Sequence, residues 1–161
     1  MQFLIDGYNL LHAAGLATAR MPANRLRPAR TRMLDWIADS VRGRGVTVRV
    51  IFDAQDAPSD SDETSHRGVL VRFAYRETAD DFIEAFLLSQ AEPVGVTVVS
   101  NDGRVQEAAR RRGCRFWDCD KWMDWLATGE VPPRLPVPLE PEKPDTPAGD
   151  DAELLKAFQR R

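Results

Sequence analysis

Short apolar runs alternate along the first 130 residues with segments in which apolar residues recur every three or four positions. The runs are rich in β-branched residues, as is typical of strands that are buried on both faces. They lie at residues 2–5, 46–52, 68–73, 94–99 and 114–117. The helically spaced segments lie at residues 24–42, 78–92, 103–112 and 120–127. This alternation predicts an α/β fold in which a mostly parallel central sheet is covered by helices on both faces.

Prolines mark the end of this pattern. Seven of the 11 prolines lie within residues 132–147, a spacing that favours an extended polyproline II conformation and is incompatible with a helix or a central strand. In residues 150–161, acidic residues precede basic ones, which is the order that the helix dipole favours. The sequence therefore predicts a folded domain at 1–130, a proline-rich linker at 131–149 and a short C-terminal helix at 150–161.

Composition narrows the class of protein. With 43% hydrophobic residues the chain is not disordered throughout, and two cysteines cannot form a disulfide scaffold. No apolar run is long enough to span a bilayer, and Asp6 interrupts the N-terminal apolar stretch, which is therefore not a signal peptide. We expect a cytoplasmic protein. The net charge of −3 does not favour nucleic acid, and the abundance of arginine over lysine does not by itself decide the question.

Acidic residues follow three of the predicted strands. Asp6 comes after the first strand, Asp53 after the second and Asp102 after the fourth. Because the carboxyl ends of parallel strands share one edge of a sheet, these side chains should lie close together. Asp80 and Asp81 begin a predicted helix and could bring one more carboxylate to that edge. Carboxylates that converge in this way raise one another's pKa unless a cation lies among them.

The chemistry of these residues favours one class of metal. Carboxylate oxygens suit Mg²⁺ or Mn²⁺ better than Zn²⁺, and Cys114 and Cys119 do not form a Cys/His zinc motif. Any one of these aspartates could equally be a turn former or a helix cap. Their coincidence at three strand ends and one helix start is what predicts a divalent-cation site.

Polar residues beside the acids extend the candidate site. Asn9 could place its amide near a metal or a phosphate, or could cap a turn. Ser100 and Asn101 directly precede Asp102 and could donate hydrogen bonds to an anion, or could satisfy loop backbone. Arg76 and Arg104 are the arginines best placed in the sequence to bind flanking phosphates.

Four segments in order resemble the NYN domains of the YacP-like group, which belongs to the PIN-like nuclease superfamily. They are LIDGYNL at 4–10, VIFDA at 50–54, TADDFIE at 78–84 and VVSND at 98–102, and the resemblance covers residues 2–125. It implies a three-layer α/β/α fold, an acidic site that binds Mg²⁺ or Mn²⁺, and RNA endonuclease activity. Ribosome-associated mRNA cleavage is known in the group, which makes the ribosome a candidate partner beside RNA.

The resemblance also assigns roles to individual positions. Asp6, Asp80 and Asp102 match the family's metal-binding and catalytic acids, and Asp53 matches a supporting position. Asn9 also matches a supporting position. The residue type at the position of Asp81 varies among relatives, so the part of Asp81 in metal binding stays open. One position departs from the pattern, because Asn101 stands where a serine or threonine is expected and Ser100 is displaced by one residue.

Hydrolysis of a phosphodiester needs an activated water, neutralised phosphate oxygens and a stabilised leaving oxygen. One or two metal ions held by Asp6, Asp80 and Asp102 can supply all three without a nucleophilic side chain. The chain has no pattern typical of base reading, which favours single-stranded RNA as the substrate.

Three other interpretations of the sequence stay open. The domain could bind RNA without cleaving it. A haloacid-dehalogenase-like phosphatase also has an aspartate after its first strand, but it needs a second acid two residues later, where this chain has Tyr8. Finally, the predicted C-terminal helix could recruit a partner in whose complex alone the domain acts.

Overall fold

A computed structural model describes residues 1–53 and 63–129 of the chain. The predicted proline-rich linker and C-terminal helix lie outside the described residues. In the part of the chain that is described, no helix combines the length and the apolar character needed to cross a membrane.

The centre of the described domain is a six-stranded sheet. Its strands are β1 (Gln2–Asp6), β2 (Thr47–Asp53), β3 (Thr64–His66), β4 (Val69–Ala74), β5 (Val96–Val99) and β6 (Arg115–Trp117). Their order across the sheet is β3-β4-β2-β1-β5-β6, and only the β3–β4 pair is antiparallel. Ile5 pairs with Val50 of β2 and with Val99 of β5, so the three neighbouring strands end side by side.

Helices connect these strands. They are α1 (Gly7–Ala13), α2 (Ala23–Val41), α3 (Ala79–Ser89), α4 (Gly103–Arg111) and α5 (Cys119–Thr128), together with a 3-10 turn at Pro93–Gly95. The Thr78 hydroxyl caps α3 by accepting a hydrogen bond from the Asp81 amide. Gly129, with a φ of 71°, ends α5 in the left-handed conformation that glycine adopts most readily.

The two faces of the sheet carry different cores. Phe3 and Ile5 of β1 belong to one core, which contains the tryptophans Trp117, Trp122 and Trp125. Leu4, between them in sequence, belongs to the other core, which is mainly aliphatic and includes Ile83 of α3 and Val105 of α4. This alternation along β1 places helices on both faces of the sheet. It confirms the predicted three-layer α/β fold.

Two elements differ from the prediction. Helix α1 was not among the predicted helices; it begins at Gly7 because the Asp6 side chain caps it. Strand β3 was not predicted either. It is joined to β4 by Arg67 and Gly68, whose φ angles of 50° and 90° are both positive, as a two-residue hairpin turn requires. Because an arginine stands where asparagine or aspartate is usual, the sequence gives little sign of that turn.

Candidate active site

The end of β1 places Asp6 in the centre of the site. Asp6 is the last residue of the strand and the N-cap of α1, and its side chain is 7% exposed. Its Oδ1 accepts a hydrogen bond from the backbone amide of Asn9 at 3.4 Å, and its Oδ2 accepts one from the Ser100 hydroxyl at 3.4 Å. Ser100 is completely buried, and its Oγ accepts a hydrogen bond from the Asp102 amide at 3.0 Å. Ser100 therefore joins the end of β1 to the start of α4.

The end of β2 positions a second carboxylate and the start of a helix. The Asp53 carboxylate accepts a hydrogen bond from the backbone amide of Ala79, the first residue of α3, at 2.5 Å. This bond fixes the first turn of α3, where Asp80 lies half-buried.

A third acid lies at the start of α4. Asp102 is the N-cap of this helix, and its Oδ1 accepts hydrogen bonds from the amides of Arg104 at 2.8 Å and Val105 at 3.4 Å. We call Asp6, Asp53, Asp80 and Asp102 the acidic edge.

The charges of the acidic edge act on one another. Burial, together with the charges of Asp80 and Asp53, raises the pKa of Asp6 to about 7, against the lowering effect of the hydrogen bonds from the Asn9 backbone amide and the Ser100 hydroxyl. Burial also raises the pKa of Asp80, and the charges of Asp102 and Asp53 add to this effect. Neighbouring aspartates therefore oppose the ionisation of Asp6 and Asp80, which is the condition that a bound cation relieves.

The donor chemistry fits a hard divalent cation, because the acidic edge offers only carboxylate oxygens. As they stand, however, no three or more His, Cys, Asp or Glu side chains within residues 1–53 and 63–129 form a group that could hold a metal ion. A cation that takes three of these carboxylates as ligands would require them to move closer together, whereas a cation that keeps several waters needs only one or two of them.

The two acids that begin α3 have different partners. Asp81 is exposed, and its Oδ1 accepts a hydrogen bond from Arg104 Nη2 at 2.8 Å, which holds the pKa of Asp81 below its usual value. Asp80 instead interacts with Asp102 and Asp53. The structure therefore places Asp80 in the acidic edge and Asp81 in an ion pair beside it.

Arg104 is already engaged with two carboxylates, since its Nε also donates to Glu84 Oε1 at 2.9 Å. Arg76 follows β4 with a φ of 58°, and its guanidinium lies 5.2 Å from the centre of the Tyr75 ring. Neither guanidinium group forms a hydrogen bond or ion pair with an aspartate of the acidic edge among the described residues. Their predicted contacts with phosphate stay predictions.

The two candidate asparagines tie three elements together. Asn9 Oδ1 accepts hydrogen bonds from the backbone amide of Asn101 at 2.7 Å and from Cys119 Sγ at 3.4 Å. Asn101 Oδ1 accepts one from the Cys119 amide at 2.8 Å. Their oxygens thus join α1, the loop before α4 and the start of α5. Cys119 was not predicted here, and burial followed by the Asp6 charge raises the pKa of its thiol to about 12.

A cavity of about 390 Å³ adjoins the acidic edge. Its lining includes Asp53, Tyr8, His12, Thr18 and Met21. His12 was not predicted to belong to the site, and neither its sequence position nor its neighbours suggest that it would line this cavity. The cavity gives Asp53 open space on its α1 side, where a substrate could approach.

Comparisons with known proteins agree with this architecture. The sequence model of the YacP-like NYN domain matches residues 3–127. The chain is similar to two crystal structures of Rae1 (YacP) from Bacillus subtilis. One, a tryptophan-to-leucine mutant, is 26% identical with a TM-score of 0.61, covering 79% of this chain and 75% of that one. The other is 25% identical with a TM-score of 0.61, covering 99% and 93%. No curated protein matches the chain.

Proposed function

Because the chain belongs to the YacP-like NYN domain family of PIN-like nucleases, we propose that it is a metal-dependent endoribonuclease that cleaves single-stranded RNA. The observation that carries the proposal is the mutual opposition of the carboxylates of the acidic edge. Asp6 and Asp80 both have raised pKa values, and in each case other aspartates contribute to the rise. A group of acids that destabilise one another is well suited to holding a cation.

Asp6, Asp80 and Asp102 are the proposed catalytic acids and metal ligands, with Asp53 and Asp81 as further ligands. Mg²⁺ or Mn²⁺ bound there would supply activation of a water and neutralisation of the phosphate and leaving oxygens. The backbone amide of Asn9 and the Ser100 hydroxyl hold the Asp6 carboxylate in one orientation.

The polar residues around the acids are proposed to position the site as well as to meet the substrate. Asn9 and Asn101 connect α1, the loop before α4 and the start of α5, and Ser100 connects Asp6 to Asp102. Arg76 and Arg104 are proposed to contact flanking phosphates. For Arg104 that contact would compete with its ion pairs to Asp81 and Glu84.

An RNA-binding domain without turnover is the second candidate. It is favoured by the arrangement of the acids, which do not form a group that could hold a metal as they stand in the described residues.

Incubation of the purified full chain with labelled single-stranded RNA distinguishes the endoribonuclease from the RNA-binding domain without turnover. We expect internal cleavage in Mg²⁺ or Mn²⁺ that EDTA and Asp6→Asn abolish. Binding without cleavage in either metal would leave the second candidate. Cleavage by Asp6→Asn at the wild-type rate would instead point to a contaminating nuclease or a different site.

A further inference from the structure

The middle of α2 buries a positive charge. Arg30 is 8% exposed, and its guanidinium carbon lies 5.8 Å from the centre of the Phe52 ring and 5.3 Å from that of Phe73. Arginine is almost never buried to this extent without an anionic partner. No carboxylate among the described residues forms an ion pair with Arg30.

The hydrogen bonds of Arg30 are incomplete. Its Nη1 donates to the Tyr8 hydroxyl at 3.2 Å, whereas a guanidinium carries five N–H donors. The other guanidinium nitrogens are not sealed in the interior, because Trp122 Nε1 is the only buried side-chain nitrogen or oxygen without a partner in the described part of the chain. The remaining donors of Arg30 therefore reach solvent.

They do so at a cavity of about 310 Å³ whose lining carries further donors. The lining includes Arg27, Arg30, Thr31, Thr64, His66 and Phe73. Arg27, one helical turn before Arg30, is exposed, so the two guanidinium groups can serve one anion. Asp35, the partner of the lining residue His66, accepts hydrogen bonds from His66 at 2.8 Å and Arg67 at 3.2 Å, which offset the charge of this carboxylate.

The cavity lies next to the acidic edge. Phe52, on its wall, directly precedes Asp53. Tyr8, the partner of Arg30, follows Asp6 by two residues and lines the neighbouring cavity that reaches Asp53. The Tyr8 and Phe52 rings pack at 5.3 Å between the two cavities. A chain that passes the acidic edge could therefore extend into the cavity at Arg30.

We propose that Arg30, with Arg27, binds a phosphate group of the RNA backbone that flanks the scissile bond. The inference rests on the proposed function and adds to it the site where the substrate is held. A guanidinium group can donate two parallel hydrogen bonds to two oxygens of one phosphate, and the ammonium group of a lysine cannot reproduce this geometry. The aromatic walls keep the guanidinium in place, so that little side-chain freedom is lost when the phosphate binds.

The test measures RNA affinity without turnover. Binding of a labelled single-stranded RNA to the full chain is followed in EDTA over a range of salt for wild type, Arg30→Gln, Arg30→Lys and Arg27→Gln. We expect Arg30→Gln to weaken binding about tenfold and to lower the slope of log K against log salt by about 0.7, the loss of one phosphate contact. Arg30→Lys should recover only part of the affinity. The matched control is Arg32→Gln, an exposed arginine of the same helix outside the cavity lining, which should change binding less than Arg30→Gln.

Thermal unfolding of each variant shows whether it is folded. Should Arg30→Gln not fold, unchanged affinity and salt slope in both Arg30→Lys and Arg27→Gln would overturn the proposal. If Arg30→Gln folds and binds RNA as wild type does, the proposal is also overturned, and Arg30 is then only a packing residue.

Inorganic phosphate and a nucleoside monophosphate distinguish the source of the phosphate. Weak competition by either, together with Arg30-dependent RNA binding, supports the RNA backbone as ligand. Arg30-dependent binding of the small anions with Arg30-independent binding of RNA would overturn that assignment. Arg30-dependent RNA binding in a protein that never cleaves RNA would refute the proposed function, and with it the scissile bond, and would leave Arg30 as a phosphate contact of bound RNA.

Discussion

Two groups of carboxylates in this molecule have opposite electrostatic surroundings. In what we call the ion network, Asp35 and Asp39 of α2 accept hydrogen bonds from Arg67, and Asp35 also accepts one from His66. These partners hold the pKa of Asp35 below its usual value. In the acidic edge the neighbours are mainly other aspartates, and the pKa of Asp6 is raised to about 7. The same side-chain type is therefore neutralised in one region and left opposed in the other.

The difference indicates which carboxylates serve the fold and which are available for chemistry. An exposed ion pair contributes little to stability but costs little. A buried aspartate among other aspartates is unfavourable at neutral pH, where it must either hold a proton or meet a cation. The acidic edge is thus the part of the described domain whose charges call for an external partner.

The largest effect is expected on RNA cleavage, when the two acids at the start of α3 are replaced one at a time. Asp80→Asn removes a carboxylate of the acidic edge and should lower RNA cleavage at least about 100-fold, since metal ions contribute several kcal/mol to such reactions. Asp81→Asn removes a partner of Arg104 and should lower cleavage less than about tenfold. Asp39→Asn, in the ion network, should cleave RNA as wild type does. Equal losses in Asp80→Asn and Asp81→Asn would show that the comparison is wrong.

The acidic edge also depends on the close approach of the Gly7 backbone to Phe52 and Ile51 of β2. A Cβ at Gly7 would lie 2.5 Å from Phe52 Cδ1 and 3.0 Å from the Ile51 carbonyl oxygen. Gly7→Ala should therefore lower the free energy of unfolding by about 2–3 kcal/mol, because the buried ring must shift. Gly103→Ala is the control, as its Cβ would meet nothing within 4 Å. Chemical denaturation measures both, and a Gly7→Ala protein as stable as Gly103→Ala would refute the packing argument.

Stability should depend on pH through Asp6. Its pKa in the folded protein, about 7, is above the unfolded value of 3.8, so the native state binds the extra proton and loses stability as pH rises between these values. Asp6→Asn cannot ionise and should be more stable than wild type in EDTA at pH 8, by at most about 4 kcal/mol for this rise in pKa, with no difference near pH 3. Denaturation measures the free energy of unfolding of both proteins across this pH range. A difference between the two proteins that does not change with pH would contradict the raised pKa of Asp6.

Arg104 offers the smallest expected change. Its guanidinium is paired with Asp81 and Glu84, so Arg104→Gln should weaken RNA binding less than about threefold, and less than Arg30→Gln does. Filter binding at one salt concentration is sufficient to compare them. A larger loss in Arg104→Gln than in Arg30→Gln would show that the phosphate contact lies at α4 instead.

The sequence was sufficient to predict the fold class, the parallel strands and the position of the acids at one edge, because strand period and strand ends are local features. It could not predict that Arg30 is buried, since a charged residue in a helical pattern is normally exposed and its aromatic partners come from β2 and β4. Nor could it separate Asp80 from Asp81. Asp80 is half-buried near Asp102 and Asp53, whereas Asp81 is exposed and bonded to Arg104, and these partners are distant in sequence.

Calorimetric titration of Mn²⁺ into wild type, Asp6→Asn and Asp39→Asn tests the central claim most directly, because it needs no RNA and no turnover. We expect wild type and Asp39→Asn to bind Mn²⁺ alike and Asp6→Asn to bind at least about tenfold more weakly, the loss that removal of a metal-site residue typically causes. No binding by wild type, or equal binding by Asp6→Asn and Asp39→Asn, would contradict the claim that the acidic edge is a cation site.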